Sequence, residues 1–366
     1  MFNNIYSGKK ILITGHTGFK GAWLTAWLLK LGADIVGVSK DIPTTPSLFN
    51  ELDLKSKIND YREDIRSLEH LKAIFLSEKP DFVFHLAAQP IVSLSYVDPI
   101  GTLSSNIMGT ANVLEALRYL ENKCTCVIVT SDKCYDNVEW VWGYKEIDSM
   151  GGKDIYSGSK GGAELVFRSY YYSFFKNHEY VRLASARAGN VIGGGDWAED
   201  RIVPDCMRAW HKNESVEIRS PEATRPWQHV LEPLSGYLSL GHKLSENINL
   251  NGESFNFGPK SENSHTVKTL LEDLSKYWTL KNSDSKRYHI TDNIPFHEAG
   301  LLKLNCDKAL FSLRWLPTLE YEELTKITST WYYNFYQKDS DMWQITMQQI
   351  SNYEKAAIQK QLLWTM

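Results

Sequence analysis

Short apolar runs, each closed by small or polar residues, punctuate the first half of the chain. Lys10-Ile11-Leu12-Ile13-Thr14 is rich in branched side chains and ends on a glycine. Asp34-Ile35-Val36-Gly37-Val38-Ser39, Asp81-Phe82-Val83-Phe84-His85-Leu86-Ala87-Ala88-Gln89 and Cys126-Val127-Ile128-Val129-Thr130 repeat the pattern. Continuous apolar runs of this length suit strands buried on both faces of a parallel sheet. Between them lie stretches with helical spacing. Residues 22–29 read as an apolar helix, and 106–118 as another with Val113, Leu114 and Leu117 facing inward and Asn106 near its first turn. Strands that alternate with helices predict an α/β architecture around a doubly wound parallel sheet.

The pattern loosens after Arg187-Ala188-Gly189-Asn190-Val191-Ile192-Gly193-Gly194-Gly195-Asp196, where a glycine run marks a loop and the passage to a second lobe. The expected division is a Rossmann-type nucleotide-binding domain over 1–190 and a smaller C-terminal α/β substrate-binding lobe mainly over 191–366, with room for the chain to return to the first. The tail from Trp331 is aromatic, then amphipathic, and ends in Leu362-Leu363-Trp364, as either packing or a subunit contact.

Composition narrows the class. With 366 residues the chain can bury a large core, and a net charge of -4 gives no reason to expect nucleic acid or an anionic membrane as partner. No apolar run approaches the roughly 20 residues of a membrane span. Residues 1–10 lack the apolar core of a signal peptide. The five scattered cysteines, Cys124, Cys126, Cys134, Cys206 and Cys306, read as reduced thiols, so a cytoplasmic protein without a metal site is expected.

The first strand runs into Gly15-His16-Thr17-Gly18-Phe19-Lys20-Gly21 and then a helix. Strand, glycine turn and helix make a dinucleotide-binding entry, in which amide N–H groups at the helix start face a pyrophosphate. An acid ending the second strand would hold the adenosine ribose, yet that end reads Ser39-Lys40-Asp41. Asp64, with Ile65, follows a predicted third strand, as an adenine contact or a helix N-cap. Ala87 and Ala88 leave room for a ligand backbone at the carboxyl edge of the sheet. His85 reads as a satisfied core histidine rather than a catalytic one.

The candidate chemistry lies further on. Ser131-Asp132-Lys133 empties from a core strand onto the carboxyl edge, where α/β sheets place their sites. If Ile155-Tyr156-Ser157-Gly158-Ser159-Lys160 opens a helix, Tyr156 and Lys160 share a face. A nearby cation would lower the tyrosine pKa, so that it can take a proton from a sugar hydroxyl near neutral pH. The tryptophan-rich segment 137–150 is a candidate lid. In the second lobe, Arg201 and Arg225-Pro226-Trp227 offer guanidinium groups, and Arg225 is the candidate for a second diphosphate.

Thr14-Gly15-x-x-Gly18-x-x-Gly21, His85-Leu86-Ala87-Ala88 and Tyr156-x-x-x-Lys160 together resemble the extended short-chain dehydrogenase/reductases. Within that group the chain is similar to the nucleotide-sugar 4,6-dehydratases, in the branch acting on CDP-glucose. Thr44-Thr45-Pro46-Ser47-Leu48-Phe49, Ser131-Asp132-Lys133-Cys134-Tyr135-Asp136-Asn137, Met150-Gly151-Gly152-Lys153-Asp154 and Gly193-Gly194-Gly195-Asp196-Trp197-Ala198-Glu199-Asp200-Arg201 carry that similarity. The resemblance implies NAD bound by Gly15, Thr17, Gly18, Phe19, Ser39, Asp64, Ile65, Leu86, Ala87, Ala88, Asn106, Tyr156 and Lys160. It implies a nucleotide sugar, CDP-glucose, bound by Gln89, Asn190, Arg201 and Arg225, and a homodimer or homotetramer. Ser131, Asp132, Lys133, Tyr156 and Lys160 are the implied catalytic set. Relatives acting on dTDP-glucose carry glutamate where this chain has Lys133. The base at C5 is therefore either Lys133, made neutral by desolvation, or a water or another group. A 4-epimerase, a dehydratase of another nucleotide sugar and a catalytically silent nucleotide-binding protein are the alternatives.

Overall fold

Apolar strands stacked between helices build the molecule. The computed structural model describes residues 1–260, 265–278, 287–291, 301–338 and 340–366. Seven strands form one sheet: β1 (Lys10–Thr14), β2 (Asp34–Val38), β3 (Asn59–Tyr61), β4 (Phe82–His85), β5 (Cys124–Val129), β6 (Val181–Ala188) and β7 (Ser254–Phe257). Their order is β3-β2-β1-β4-β5-β6-β7, and every neighbouring pair is parallel. The order reverses between β1 and β4, which opens a crevice at the carboxyl ends of these strands.

Successive residues of each strand feed opposite layers. Leu12, Val36, Val83 and Ile128 pack on one face against α2 (Leu68–Glu78), α3 (Gly109–Leu117) and α4 (Ile155–Tyr170). Ile11, Ile13, Ile35, Phe84 and Val127 pack on the other, with side chains of α1 (Phe19–Lys30) and α6 (Leu231–Glu246). In chain order α5 (Ile202–His211) lies between α4 and α6. Val113, Leu114 and Leu117 are buried, as their spacing requires. Cys124 and Cys126 lie on β5, and all five thiols are free.

The second half is shared between two places. β7 and α6 return to the seven-stranded sheet. The rest includes two-stranded ribbons that pair 191–192 with 228–229, 224–225 with 265–266, and 216–218 with 288–290. Helix α7 (Val267–Ser275) packs on α8 (Tyr321–Gln337), and α9 (Met342–Gln359) closes the chain.

The tail is a packing element. Trp364, 5 % exposed, stacks on Phe2 at 5.1 Å and on Tyr353 at 5.7 Å and meets the edge of Trp27. Asn3 N–H donates to the carbonyl of Met366 at 2.7 Å, so both termini close over α1. Removing a buried indole should leave a cavity costing about 3 kcal/mol. Trp364→Ala should therefore lower the denaturant midpoint at unchanged slope, and a loss below about 1 kcal/mol would show the tail to be peripheral.

Candidate active site

The turn between β1 and α1 is shaped to let backbone approach backbone. Gly15 adopts φ +79°, and a Cβ there would lie 2.7 Å from the amide nitrogen of Ala87. A Cβ on Gly21 would lie 2.1 Å from the carbonyl oxygen of Gly15. Gly18 caps α1 with no side chain, so the helix start stays open for an anion. Thr17 donates from its hydroxyl to the Asp41 carbonyl at 2.7 Å, and Leu86 N–H donates to the Thr14 carbonyl at 3.0 Å. Phe19 points toward Gly193 of the second lobe, where a Cβ would meet its ring at 3.2 Å.

The acid expected at the end of β2 is not Asp41, which forms an exposed pair with Lys40 at 3.5 Å. Ser39 is buried, with its hydroxyl 3.0 Å from His16 Nδ1, and His16 Nε2 lies 2.8 Å from Asp60 Oδ1. Asp60 sits on β3, in register with Gly37 of β2, and Gly37 leaves the room that the His16 ring fills. His16 and Asp60 are thus residues that the sequence reading missed. Asp64 does not cap α2, whose N-cap is Ser67, and is held instead by Arg66 at 2.6 Å. Its neighbour Ile65 packs against Gly109.

At the switch point the small residues Ala87 and Ala88 precede Gln89, whose N–H donates to Asn106 Oδ1 at 2.7 Å. Gln89 also donates to Thr102 at 2.8 Å, and Asn106 donates to Ser159 at 2.8 Å, which ties this edge to α4. His85 is a satisfied core residue. Its nitrogens face Thr14 at 2.7 Å and Thr110 at 3.1 Å, and burial holds its pKa down at about 3.

Helix α4 begins at an Asp154 cap, which accepts from Ser157 N–H at 2.9 Å. Tyr156 and Lys160 come one turn apart, 7 % and 6 % exposed, with the ammonium 5.9 Å from the phenol ring centre. The expectation of a lowered tyrosine pKa is corrected. Burial pushes Tyr156 up to about 12, and the opposing pull of Ser131 and Arg201 is smaller. Lys160 is itself pushed down to about 8 by burial, so at neutral pH it stays mainly charged.

Ser131 and Asp132 follow β5 directly. The Ser131 hydroxyl lies 2.9 Å from Asp132 Oδ1, and burial raises the Asp132 pKa, with Lys133, Ser131 and Lys20 pulling it back. Gly189 leaves space for this carboxyl, since a Cβ there would sit 2.9 Å from Oδ2. Lys133 is half-buried, not withdrawn from water as a desolvated base would need. A further missed residue is Lys20, in the first turn of α1. It is pushed down to about 8, first by burial and then by Arg201, and its charge acts on Asp132 and Lys160.

From the second lobe Arg201 pairs with buried Asp196 at 2.9 Å and acts electrostatically on Tyr156. Arg225 donates to the Thr224 carbonyl at 2.9 Å. Asn190 accepts from Gln228 N–H at 3.2 Å. A cleft lined by Gly189, Pro226, Gln228, Gly258, Lys260 and Lys303 opens beside Asp132. In the segment 137–150, Trp142 is 71 % exposed, while Tyr144 stacks on Tyr135 at 5.2 Å. No helix among the described residues is long and apolar enough to cross a membrane.

This arrangement has known counterparts. The chain is 45 % identical over 357 residues to a CDP-glucose 4,6-dehydratase of Salmonella typhimurium (strain LT2), covering 96 % of this chain and 98 % of that one. An epimerase structure from Methanothermobacter thermautotrophicus matches with TM-score 0.77 at 23 % identity, over 92 % of this chain and 97 % of the other. The dTDP-glucose 4,6-dehydratase of Bacillus anthracis, solved in complex with NAD, matches with TM-score 0.72 at 19 % identity, over 93 % and 100 %. The model of the GDP-mannose 4,6 dehydratase family matches residues 12–328. The chain therefore belongs to the GDP-mannose 4,6 dehydratase family, the nucleotide-sugar dehydratase branch of the extended short-chain dehydrogenase/reductases.

Proposed function

We propose that this protein is a hydro-lyase that converts CDP-glucose to CDP-4-keto-6-deoxyglucose with NAD as a retained cofactor. The observation that carries the reading is the convergence of two chemistries at one sheet edge. Tyr156 with Lys160 serves alcohol oxidation, and Asp132 beside Ser131 serves elimination. The 45 % identity to a CDP-glucose 4,6-dehydratase over nearly the whole chain supports the choice of nucleotide sugar.

The glycine cradle fits a pyrophosphate, because Gly15 and Gly21 clear the space that a Cβ would fill. Gly15, Thr17, Gly18 and Phe19 would hold that part of NAD, with Ser39, Asp64 and Ile65 toward the adenosine and Leu86, Ala87, Ala88 and Asn106 along the crevice. NAD supplies, when bound, a positive charge and a hydride acceptor that returns what it takes within one cycle.

Tyr156 takes the O4 proton, and the Ser131 hydroxyl holds that oxygen. The ketone at C4 then acidifies the C5 proton. Lys133, a water or another group removes it, and Asp132 protonates the C6 hydroxyl so that it leaves as water. A buried carboxyl with a raised pKa suits a proton donor, because it keeps its proton closer to neutrality. Gln89, Asn190, Arg201 and Arg225 would bind the sugar and diphosphate. Met108 and Tyr119 around α3, with Leu165 and Tyr172 on or just beyond α4, are exposed, which supports a homodimer through these helices. The five free thiols support a cytoplasmic setting.

Incubation with a panel of nucleoside diphosphate glucoses should give a 4-keto-6-deoxy product from CDP-glucose at a kcat/KM well above the others. Equal or better use of another nucleotide would overturn the choice of substrate.

Tyr156→Phe should keep its fold and bound nucleotide while kcat falls roughly 10²–10⁴-fold, as expected for loss of an acid–base group. A variant with a tenth of parental turnover would remove Tyr156 from the role.

After bound nucleotide has been stripped, difference absorbance between the parent and Tyr156→Phe should show no phenolate from this residue below about pH 10. The pKa of about 12 places ionisation above that point, so the proton stays on as pH rises through neutrality. A titration near pH 7 would contradict the dominance of burial over the nearby cations.

A further inference from the structure

Beneath the site lies an ion pair that the mechanism above does not use. Glu164 on α4 and Arg187 on β6 are each 2 % exposed and meet at 2.8 Å. Taking two charges out of water costs more than their attraction returns unless further hydrogen bonds satisfy them. Here those bonds have a particular distribution. Thr130, the residue before Ser131, donates its hydroxyl to Glu164 Oε1. Ser185 donates to Oε2 at 2.9 Å. Arg187 Nη1 donates to the hydroxyl of Tyr135, the residue after Cys134, at 2.7 Å, and to the Glu146 carbonyl at 3.2 Å.

The turn Ser131–Cys134 is thus gripped at both ends by one ion pair. Glu164 also lies one helical turn beyond Lys160 and two beyond Tyr156 on α4. The pair spans the two halves of the chemistry. Tyr135 carries the link onward, donating to Asn256 Oδ1 at 2.7 Å, and Asn256 donates to the Tyr144 carbonyl at 2.9 Å. Burial pushes Glu164 up, but Arg187, Thr130 and Ser185 outweigh it and hold the carboxylate ionised.

Resting on the function proposed above, we propose that Glu164 and Arg187 are positioning residues for the elimination step. They fix the turn that carries Asp132 and Lys133 at a set distance from Tyr156 and Lys160. Oxidation at C4 relies on Tyr156 and Lys160 of α4 and on the cofactor site, with Ser131 as the turn's only contact to O4, so it is the less sensitive of the two steps to a loose turn. Expulsion of water needs Asp132 at O6 while the O4 contacts hold, and small misplacements of such groups are costly, up to about 10²-fold for 1 Å.

The test uses variants that cut one tether and leave the buried charges paired. Tyr135→Phe deletes the hydroxyl between Arg187 and Asn256 and keeps the ring that stacks on Tyr144. Thr130→Val deletes the hydroxyl on Glu164 at nearly constant shape, and Thr130→Ser keeps a hydroxyl there. Both deletions should remain folded, with unfolding midpoints within a few degrees of the parent and KM for CDP-glucose unchanged. Release of 6-deoxy product should fall roughly 10–100-fold, while reduced-cofactor absorbance rises in single turnovers because oxidation outruns elimination. Thr130→Ser should recover most of the elimination rate.

Equal slowing of both steps, or parental product release in both deletions, would overturn the proposal and leave the pair as packing alone. Should Thr130→Val unfold, Tyr135→Phe decides by the same partition. A parent that makes no 6-deoxy product from CDP-glucose overturns the functional reading, and this inference with it. Parental elimination with an unchanged partition in the variants overturns only the inference.

Discussion

Taking Tyr156, Lys160 and Asp132 out of water moves all three toward their uncharged forms: a phenol at about 12, an ammonium at about 8 and a carboxyl above its usual range. The rest of the site answers that desolvation. A carboxyl whose pKa is raised holds its proton to higher pH, as a donor should, whereas a phenol so high needs added positive charge before it can take one. The chain brings some of it, yet even with Arg201 acting on Tyr156 the phenol stays at about 12. Arg201 reaches Tyr156 from the second lobe, and Lys20 reaches Asp132 from the glycine turn. A positively charged cofactor held beside these groups would lower the phenol further, the part that the proposed function gives to NAD.

The scaffold keeps these groups close and buried. The strands end at one edge, and the small residues at those ends, Gly15, Ala87 and Gly189, create the space there. Below the edge, Glu164 and Arg187 join the helix that carries the tyrosine to the turn that carries the acid. Above it, Asp196 holds Arg201 at 2.9 Å and is anchored through its backbone to Tyr332 of α8. The C-terminal helices therefore contribute to the placement of a guanidinium at the site.

Much of the sheet was legible because buried parallel strands have a local signature, and β1, β2, β4 and β5 fall on the apolar runs. The motifs located the glycine cradle, the Tyr156–Lys160 face and the Ser131–Lys133 turn for the same reason, since each is contiguous in sequence. What escaped depends on neighbours far away in the chain. Asp60 answers His16 because β3 registers on β2, and no spacing within either strand says so. The tyrosine pKa was misjudged because the sequence displays Lys160 four residues away but not the depth of burial that outweighs it. Lys20 was visible in the glycine turn, yet only the fold turns it toward Asp132. The return of β7 to the sheet likewise rests on a long-range pairing with β6.

The central claim is that one site both oxidises C4 and expels water across C5 and C6. CDP-glucose carrying deuterium at C4, mixed with unlabelled substrate, tests it most directly. The account predicts a 4-keto-6-deoxy product in which the deuterium sits at C6 of the molecule that brought it, while C5 takes hydrogen from solvent. Scrambling of the label between molecules, or recovery of the C4 epimer with the label still at C4, would contradict it.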